Sequence, residues 1–444
     1  MHNKYILLLF AAATLTSHFS KAQSLFDYFS GHGLSLQDSR ENEKAVEFDY
    51  DIDFNYFFDN REFKASFDMF MDSDAFNIAR FSPSFGVRAS QGRNLTHRLM
   101  AGVNLTKGLG ENPITDKTFS QGEDDPGLIN SKLFKEIFYY YNLEARLNSG
   151  LLELVAGVYP RNMMKGEYGR AFFSDYVMMF DPEMEGVLVQ FNTPRLFAEA
   201  GYDWLGQRGL DRYERYMVHS AGSYQITDWV SAGWAASYMH IGDSYIFTCD
   251  ADDILFNPYA KADFGHQMGL QEISVKAGVL ASMQADWTVE TSPHFPVGGE
   301  GIVTVRNWDA GIENTLFFGD NLMPFKSSVY SDSGISSYYT DLLYLSEPFY
   351  FTRRGYASGY DRLELFYEPK ISDALSLKLS AVGHFIFPSS EVIGSFLGWQ
   401  AKASLVFDLD AIRHPRSKVP GKTSSGRTDR TRNQSTGRIS GIIL

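Results

Sequence analysis

The sequence predicts an all-β fold, a transmembrane antiparallel up-and-down β-barrel of about 14 to 16 strands. Three observations predict it. Apolar and polar residues alternate with a period of two through long segments, short turns and long polar connections separate those segments, and every apolar stretch after Ala22 is broken by charges, Gly or Pro. The 444 residues include 15% aromatics and 38 glycines, yet the mean hydropathy is only -0.23. A strand with lipid on one face and water on the other produces this combination.

Taken in order, the chain begins with Lys4, an apolar run from Tyr5 to Leu15, and the small residues of Ser20-Lys21-Ala22. Residues 1–22 read as a cleaved export signal, because the run is too short for a helix that needs roughly 20 apolar residues to span a bilayer. Residues 23–44 form an N-terminal periplasmic segment and residues 45–410 the barrel. In the barrel, Val46, Phe48, Tyr50, Ile52, Phe54 and Tyr56 alternate with Glu47, Asp49, Asp51, Asp53 and Asn55. The pattern returns from Ile273 to Trp287, broken only at Leu280, and from Trp399 to Asp410, broken only at Val406. These runs approach or exceed the roughly 9 to 11 residues that a tilted membrane strand needs. Tyr202, Trp204, Trp229, Trp287 and Trp399 suit aromatic girdles at the lipid boundaries.

Turn residues at Asn148-Ser149-Gly150, Asn192-Thr193-Pro194, Thr227-Asp228 and Ser372-Asp373 predict tight hairpins. Long polar connections are expected at Gly108 to Lys132, Tyr159 to Glu185, Ile241 to Gly265 and Gly319 to Leu342. Short turns at one end and long loops at the other match periplasm against exterior. An even number of strands is expected, and the stretch between Phe63 and Leu105 leaves that parity open. Gly298-Gly299-Glu300-Gly301 reads as a loop-to-strand transition, since no Lys-Ser or Lys-Thr follows to make it a phosphate loop. Residues 411–444 hold eight Lys or Arg and one acid, Asp429, in a Ser-, Thr- and Gly-rich background, the composition of a basic disordered tail.

Tyr159-Pro160-Arg161, Gly166-Glu167-Tyr168, Ser174-Asp175-Tyr176 and Phe180-Asp181-Pro182-Glu183-Met184-Glu185-Gly186 together resemble a loop of porin-like outer-membrane proteins of the Bacteroidetes. The resemblance spans about Gln23 to Asp410 and implies a channel-like outer-membrane protein with no catalytic residues to carry over. The basic tail departs from that pattern.

Charge suggests what a lumen would prefer. Setting aside Lys4, Lys21 and the eight bases of the tail leaves 30 of the 40 Lys and Arg; setting aside Asp429 leaves 53 of the 54 acids, a formal charge of -23 on the barrel segment. Low-dielectric walls focus such a field, so a weak cation preference is expected; acidic exterior loops that hold divalent ions between lipopolysaccharides are the alternative. The constriction is expected in the loop from Pro160 to Glu185, with Arg161, Lys165, Glu167, Arg170, Asp175, Asp181, Glu183 and Glu185 facing Arg195, Arg208, Arg212 and Arg215. Asp250, Asp252 and Asp253 are a weak metal candidate, because their spacing lacks the Gly and distal Glu of an EF-hand. With no Gly-x-Ser-x-Gly and no His-Glu-x-x-His motif, no enzyme and no cofactor are expected.

The expected partners are outer-membrane lipid and lipopolysaccharide, the barrel assembly machinery and small hydrophilic solutes. Nucleic acid is not among them, and an oligomer is compatible with the fold. A non-conducting barrel acting in surface binding or assembly is the alternative reading. If the export signal is cleaved as read, mass spectrometry of the protein from outer membranes finds its N-terminus near Gln23; an intact Met1 contradicts it.

Overall fold

Hydrocarbon offers no hydrogen-bond partner, so a sheet that crosses it must pair every strand on both sides. The computed structural model meets that requirement with sixteen strands in one closed ring. It describes residues 46–409 apart from 65–73, 93, 110–133, 211–212, 247, 289–291, 323–349, 351–358, 370, 373 and 391–393. The expected export signal at 1–22, the expected periplasmic segment 23–44 and the expected tail 411–444 lie outside the described residues.

The strands are β1 (Val46–Phe63), β2 (Asp74–Gln91), β3 (Leu95–Gly108), β4 (Phe134–Leu147), β5 (Gly150–Pro160), β6 (Glu183–Asn192), β7 (Leu196–Gly206) and β8 (Arg215–Gln225) in the first half. The second half holds β9 (Val230–Ile241), β10 (Ala251–Asp263), β11 (Glu272–Asp286), β12 (Val297–Asn307), β13 (Ala310–Gly319), β14 (Gly359–Tyr367), β15 (Leu375–Ser390) and β16 (Gly394–Asp408). Each pairs antiparallel with its sequence neighbours, and β1 closes on β16 with Asp53 opposite Asp408 and Phe63 opposite Gly398. Among the described residues no helix is long and apolar enough to cross a membrane.

The two-residue period separates the faces as the sequence implies. In β1, Val46, Phe48 and Tyr50 are exposed outward, while Asp49, Asp51 and Asp59 are buried on the inner side. In β11, Val275 and Val279 are exposed, whereas Ser274, Lys276, Ser282 and Gln284 are buried. Leu280, the break in the pattern, keeps the inward parity and is fully buried. An outward face this apolar suits lipid rather than water. Aromatic rings mark one edge: Tyr202, Trp204 and Tyr216 lie 5.8–6.4 Å apart, centroid to centroid, with Tyr216 stacked on the other two. At the opposite edge Trp229 meets Phe264 at 5.3 Å.

Two mid-strand prolines, Pro83 and Pro258, test the ladder, because a proline has no N–H to donate. The β10–β11 ladder skips Asn257 and Pro258, and there the Asn257 side-chain amide donates to the Val279 carbonyl at 3.0 Å. The β2–β3 ladder skips Ser82 and Pro83, where the Ser82 hydroxyl donates to Asn104 Oδ1 at 2.5 Å. A side chain from the same strand thus bridges each gap.

The connections fall into two sets. Short ones join β4 to β5 at 148–149, β6 to β7 at 193–195, β8 to β9 at 226–229 and β12 to β13 at 308–309. The last is a two-residue turn of Trp308 and Asp309, with φ of 52° and 63°, the left-handed pair that matches hairpin twist. The expected connection from Ile241 to Gly265 is corrected: β10 occupies most of it, and only residues 242–250 remain between β9 and β10. Its pattern was masked because Leu255 and Tyr259 point inward beside Asp253 and Asn257, so both faces carry apolar residues. The Gly298 to Gly301 stretch also lies inside a strand, β12, where Gly298 leaves room for the Phe317 ring. Most of the expected connections 108–132 and 319–342 lie outside the described residues.

Depth-dependent lipid exposure is testable by urea unfolding from vesicles. Val279→Lys, mid-strand and outward, is expected to destabilise the barrel by about 2–4 kcal/mol, against about 0–1 for Val305→Lys near the rim. Equal effects contradict this orientation.

Candidate functional site: a loop across the lumen

The connection between β5 and β6 folds inward rather than out over the rim. Its composition explains why: Met164, Ala171, Phe172, Phe173 and Val177 are all buried, packed in one cluster with inward residues of the wall such as Val155, Tyr159, Leu188 and Met217. Full burial of one such large side chain is worth roughly 1.5–3 kcal/mol, so several of them hold the loop against the wall.

The loop starts with a 3-10 turn, Arg161–Met163, and contains a short helix, α1 (Asp175–Phe180), capped by the Ser174 hydroxyl, which accepts from Val177 N–H at 3.2 Å. Arg161, 1% exposed, staples its two ends together. It donates to the Asp181 carboxylate at 2.6 Å, to the Asp181 and Glu183 carbonyls at 2.8 and 2.9 Å, and pairs with Asp203 of β7 at 3.1 Å. Lys165 pairs with Glu153 of β5. Backbone N–H groups of Lys165 and Gly166 both donate at 2.8 Å to the carboxylate of Glu199 on β7.

Further along, the loop reaches other walls. Glu167 sits 3.5 and 3.6 Å from Lys261 of β10 and Lys276 of β11. Tyr168 shares a 2.7 Å hydrogen bond with Nδ1 of His219 on β8. Burial, with Glu199 close by, holds the Tyr168 phenol well above its ordinary range, so it stays protonated. Arg170 pairs with Asp175 at 2.6 Å and approaches Glu364 of β14 at 3.6 Å. Asp175 pairs with Lys402 of β16. From its roots on β5 and β6 the loop therefore makes polar contacts around the ring to β16.

A second connection also contributes inward. Tyr350, between β13 and β14, is buried and donates to Glu300 of β12, with its ring 5.3 Å from Phe317. Beside it a polar chain crosses the wall. Tyr360 bonds His384 at 2.7 Å, His384 bonds Gln400 at 2.9 Å, and Gln400 donates at 3.2 Å to Asp59, which also accepts from Arg61 at 2.5 Å.

Of the sequence candidates, Arg161, Lys165, Glu167, Arg170, Asp175 and Asp181 belong to this infolded loop, and Glu183, the first residue of β6, is buried at its root. Glu185 does not join them: it is exposed and its β6 parity turns it outward. Arg195 does not either, because it lies exposed in the β6–β7 turn at the other end of the barrel. Arg208 is at the rim, 3.8 Å from Asp243; Arg215 faces inward and donates to the Leu205 carbonyl at 3.1 Å; Arg212 lies outside the described residues. The bases that do oppose the loop, Lys261, Lys276 and Lys402, were missed. Each is a charged residue at an inward strand position, and that parity could have found them.

The metal candidate Asp250, Asp252 and Asp253 does not converge. Asp253 faces inward, accepting from Gln284 at 3.0 Å. Asp252 faces outward, where Tyr238, His240 and Trp287 all lie within 2.7–2.8 Å of its carboxylate. Asp252, Asp250 and His240 do place one ligand atom each within 4.8 Å of one another, as do Asp51, Asp53 and Asp408 at the other mouth. With three ring partners on Asp252, the first group is a hydrogen-bonded rim network.

No family model matches the chain, and no curated relative matches it. Solved structures similar in outline include OpdL of Pseudomonas aeruginosa, 11% identical, with a TM-score of 0.44 over 82% of this chain and 99% of that one. They also include the loop L8 deletion mutant of OmpT, an outer membrane protein of Vibrio cholerae, at 9% identity and a TM-score of 0.45 over 82% and 100%. A mutant porin of Rh. blastica is similar at 11% identity, with a TM-score of 0.39 over 82% and 100%.

Two substitutions test the anchoring. Arg161→Met strands the carboxylates of Asp181 and Asp203 and is expected to destabilise the protein by about 3–5 kcal/mol. A Cβ at Gly201 would lie 2.2 Å from His219 Nε2, so Gly201→Ala is expected to displace the ring, release Tyr168 and cost about 1–3 kcal/mol. Urea unfolding gives both values, and limited proteolysis within residues 161–182 reports the loosened loop. Wild-type stability in both variants contradicts the anchoring.

Proposed function

We propose that the protein is an outer-membrane channel for passive diffusion of small hydrophilic solutes or ions, with its constriction at the infolded loop. The observation that carries this reading is the contrast between the two faces of one closed wall. The outward face is a largely apolar band, while the inward face, beyond the apolar patch that seats the loop, carries many charged and hydroxyl side chains that a polar solute can exchange for water. The expected export signal and the short turns at one end support placement in the outer membrane.

A weak cation preference follows from the formal charge of -23 between Gln23 and Asp410 and from the acids at the short-turn mouth. Asp49, Asp51, Asp53 and Asp408 share inward parity there, and Asp49 pairs with Arg98 at 2.6 Å. A mouth of one sign concentrates counter-ions.

The packing of the lumen favours a second reading, a barrel that does not conduct and acts in surface binding or assembly. Asp59, Arg362, Glu364 and His384 are each at most 2% exposed although they face inward. Planar-bilayer recording separates the two. The channel reading expects discrete conductance steps and a reversal potential of cation-selective sign in a potassium chloride gradient, with steps that grow when residues 164–180 are replaced by a short Gly-Ser link. No steps in either protein supports the non-conducting barrel, and an anion-selective reversal potential removes the cation preference.

A further inference from the structure

The place where the loop meets the far wall has the composition of a ligand site. Three adjacent strands present two cross-strand rows there: Ser380 of β15, Lys402 of β16 and Asp59 of β1 in one, Lys378, Ser404 and Phe57 in the other. Asp175 of the loop lies beside them and, with them, lines a small cleft that its own carboxylate helps to fill.

The charges in this cleft are divided in an informative way. The wall carboxylates are already shared within the wall, Asp59 with Arg61 and Gln400, and Glu364 with Arg362 at 2.7 Å and Lys378 at 2.8 Å. Lys402, which faces Asp59 across the β1–β16 seam, takes its direct ion pair from the loop, as Asp175. Lys402 is only 9% exposed, so withdrawing Asp175 would leave a largely desolvated ammonium that seeks another anion. Ser380 and Ser404 on either side offer hydroxyl donors to that anion, and Phe57 offers an apolar edge to whatever it is attached to.

We propose that Lys402, with Lys378, Ser380 and Ser404, forms a binding site for the carboxylate of a small anionic solute, and that Asp175 is the resident internal occupant which the solute displaces. The proposal rests on the channel reading for its physiological meaning, since the solute must reach the cleft through the lumen. It concerns one station on the wall, so it coexists with a mouth that favours cations. Asp175 is anchored to the loop by its pair with Arg170, which gives the displaced carboxylate a partner to keep.

The test uses the full mature chain in detergent and [1-13C]acetate as the probe. Wild type is expected to broaden the acetate carboxyl resonance saturably. Asp175→Asn, which removes the internal competitor, is expected to tighten acetate binding about tenfold, and Lys402→Met to weaken it by at least that factor. Because Asp175→Asn is a gain of binding, misfolding cannot imitate it, and Lys402→Met is accepted only if its heat-dependent gel mobility matches wild type. Equal broadening by all three proteins, or no tighter binding in Asp175→Asn, overturns the proposal. Acetate binding with this mutational pattern in a protein that passes no current would leave the site standing and remove the channel.

Discussion

Everything in this molecule depends on one constraint: backbone N–H and C=O groups placed in hydrocarbon have no solvent to fall back on. A sheet meets that constraint only by closing, and the β1–β16 seam is where it closes, along residues 53–63 and 398–408. The two prolines show how strictly it applies. Where Pro83 and Pro258 interrupt the ladder, Ser82 and Asn257 supply side-chain hydrogen bonds across the gap. Closure also creates two environments, and the period of two then sorts each residue into one or the other.

The loop between β5 and β6 follows from the second environment. Buried ion pairs recover little beyond their desolvation, so the pairs of Arg161, Lys165 and Asp175 do not by themselves drive the loop inward. Burial of Met164, Phe172, Phe173 and Val177 against the inner wall supplies the driving force. The charges decide register instead, because each has a matching partner on a different strand and a slip of one residue would leave several buried charges uncompensated. Position is thus set by electrostatics and depth by apolar contact.

The barrel itself was legible in the sequence because its strands near the ends of the chain alternate cleanly. Where inward positions are apolar, as Leu255 and Tyr259 are in β10, the alternation disappears and a strand reads as a loop. The hairpin at Trp308 and Asp309 escaped notice for a related reason: its residues adopt positive φ without the Asn-Gly or Asp-Gly signature. The infolded loop was legible as a charged segment, and six of its charges do lie in the lumen connection. Its partners were not, since which strand faces which across a ring depends on closure and not on any local pattern. Glu185 and Arg195 show the limit: both are near the loop in sequence, yet one lies on the lipid side and the other at the far rim.

The most direct measurement is a spin-label scan along β11, one residue at a time from Ile273 to Asp286, in reconstituted vesicles. A wall between lipid and lumen predicts oxygen accessibility that rises and falls every second residue, high at 275, 277, 279 and 281 and low at 274, 276, 280 and 282, with a depth profile centred on mid-strand. Uniform accessibility to a water-soluble nickel reagent along the outward positions would contradict a membrane-spanning barrel.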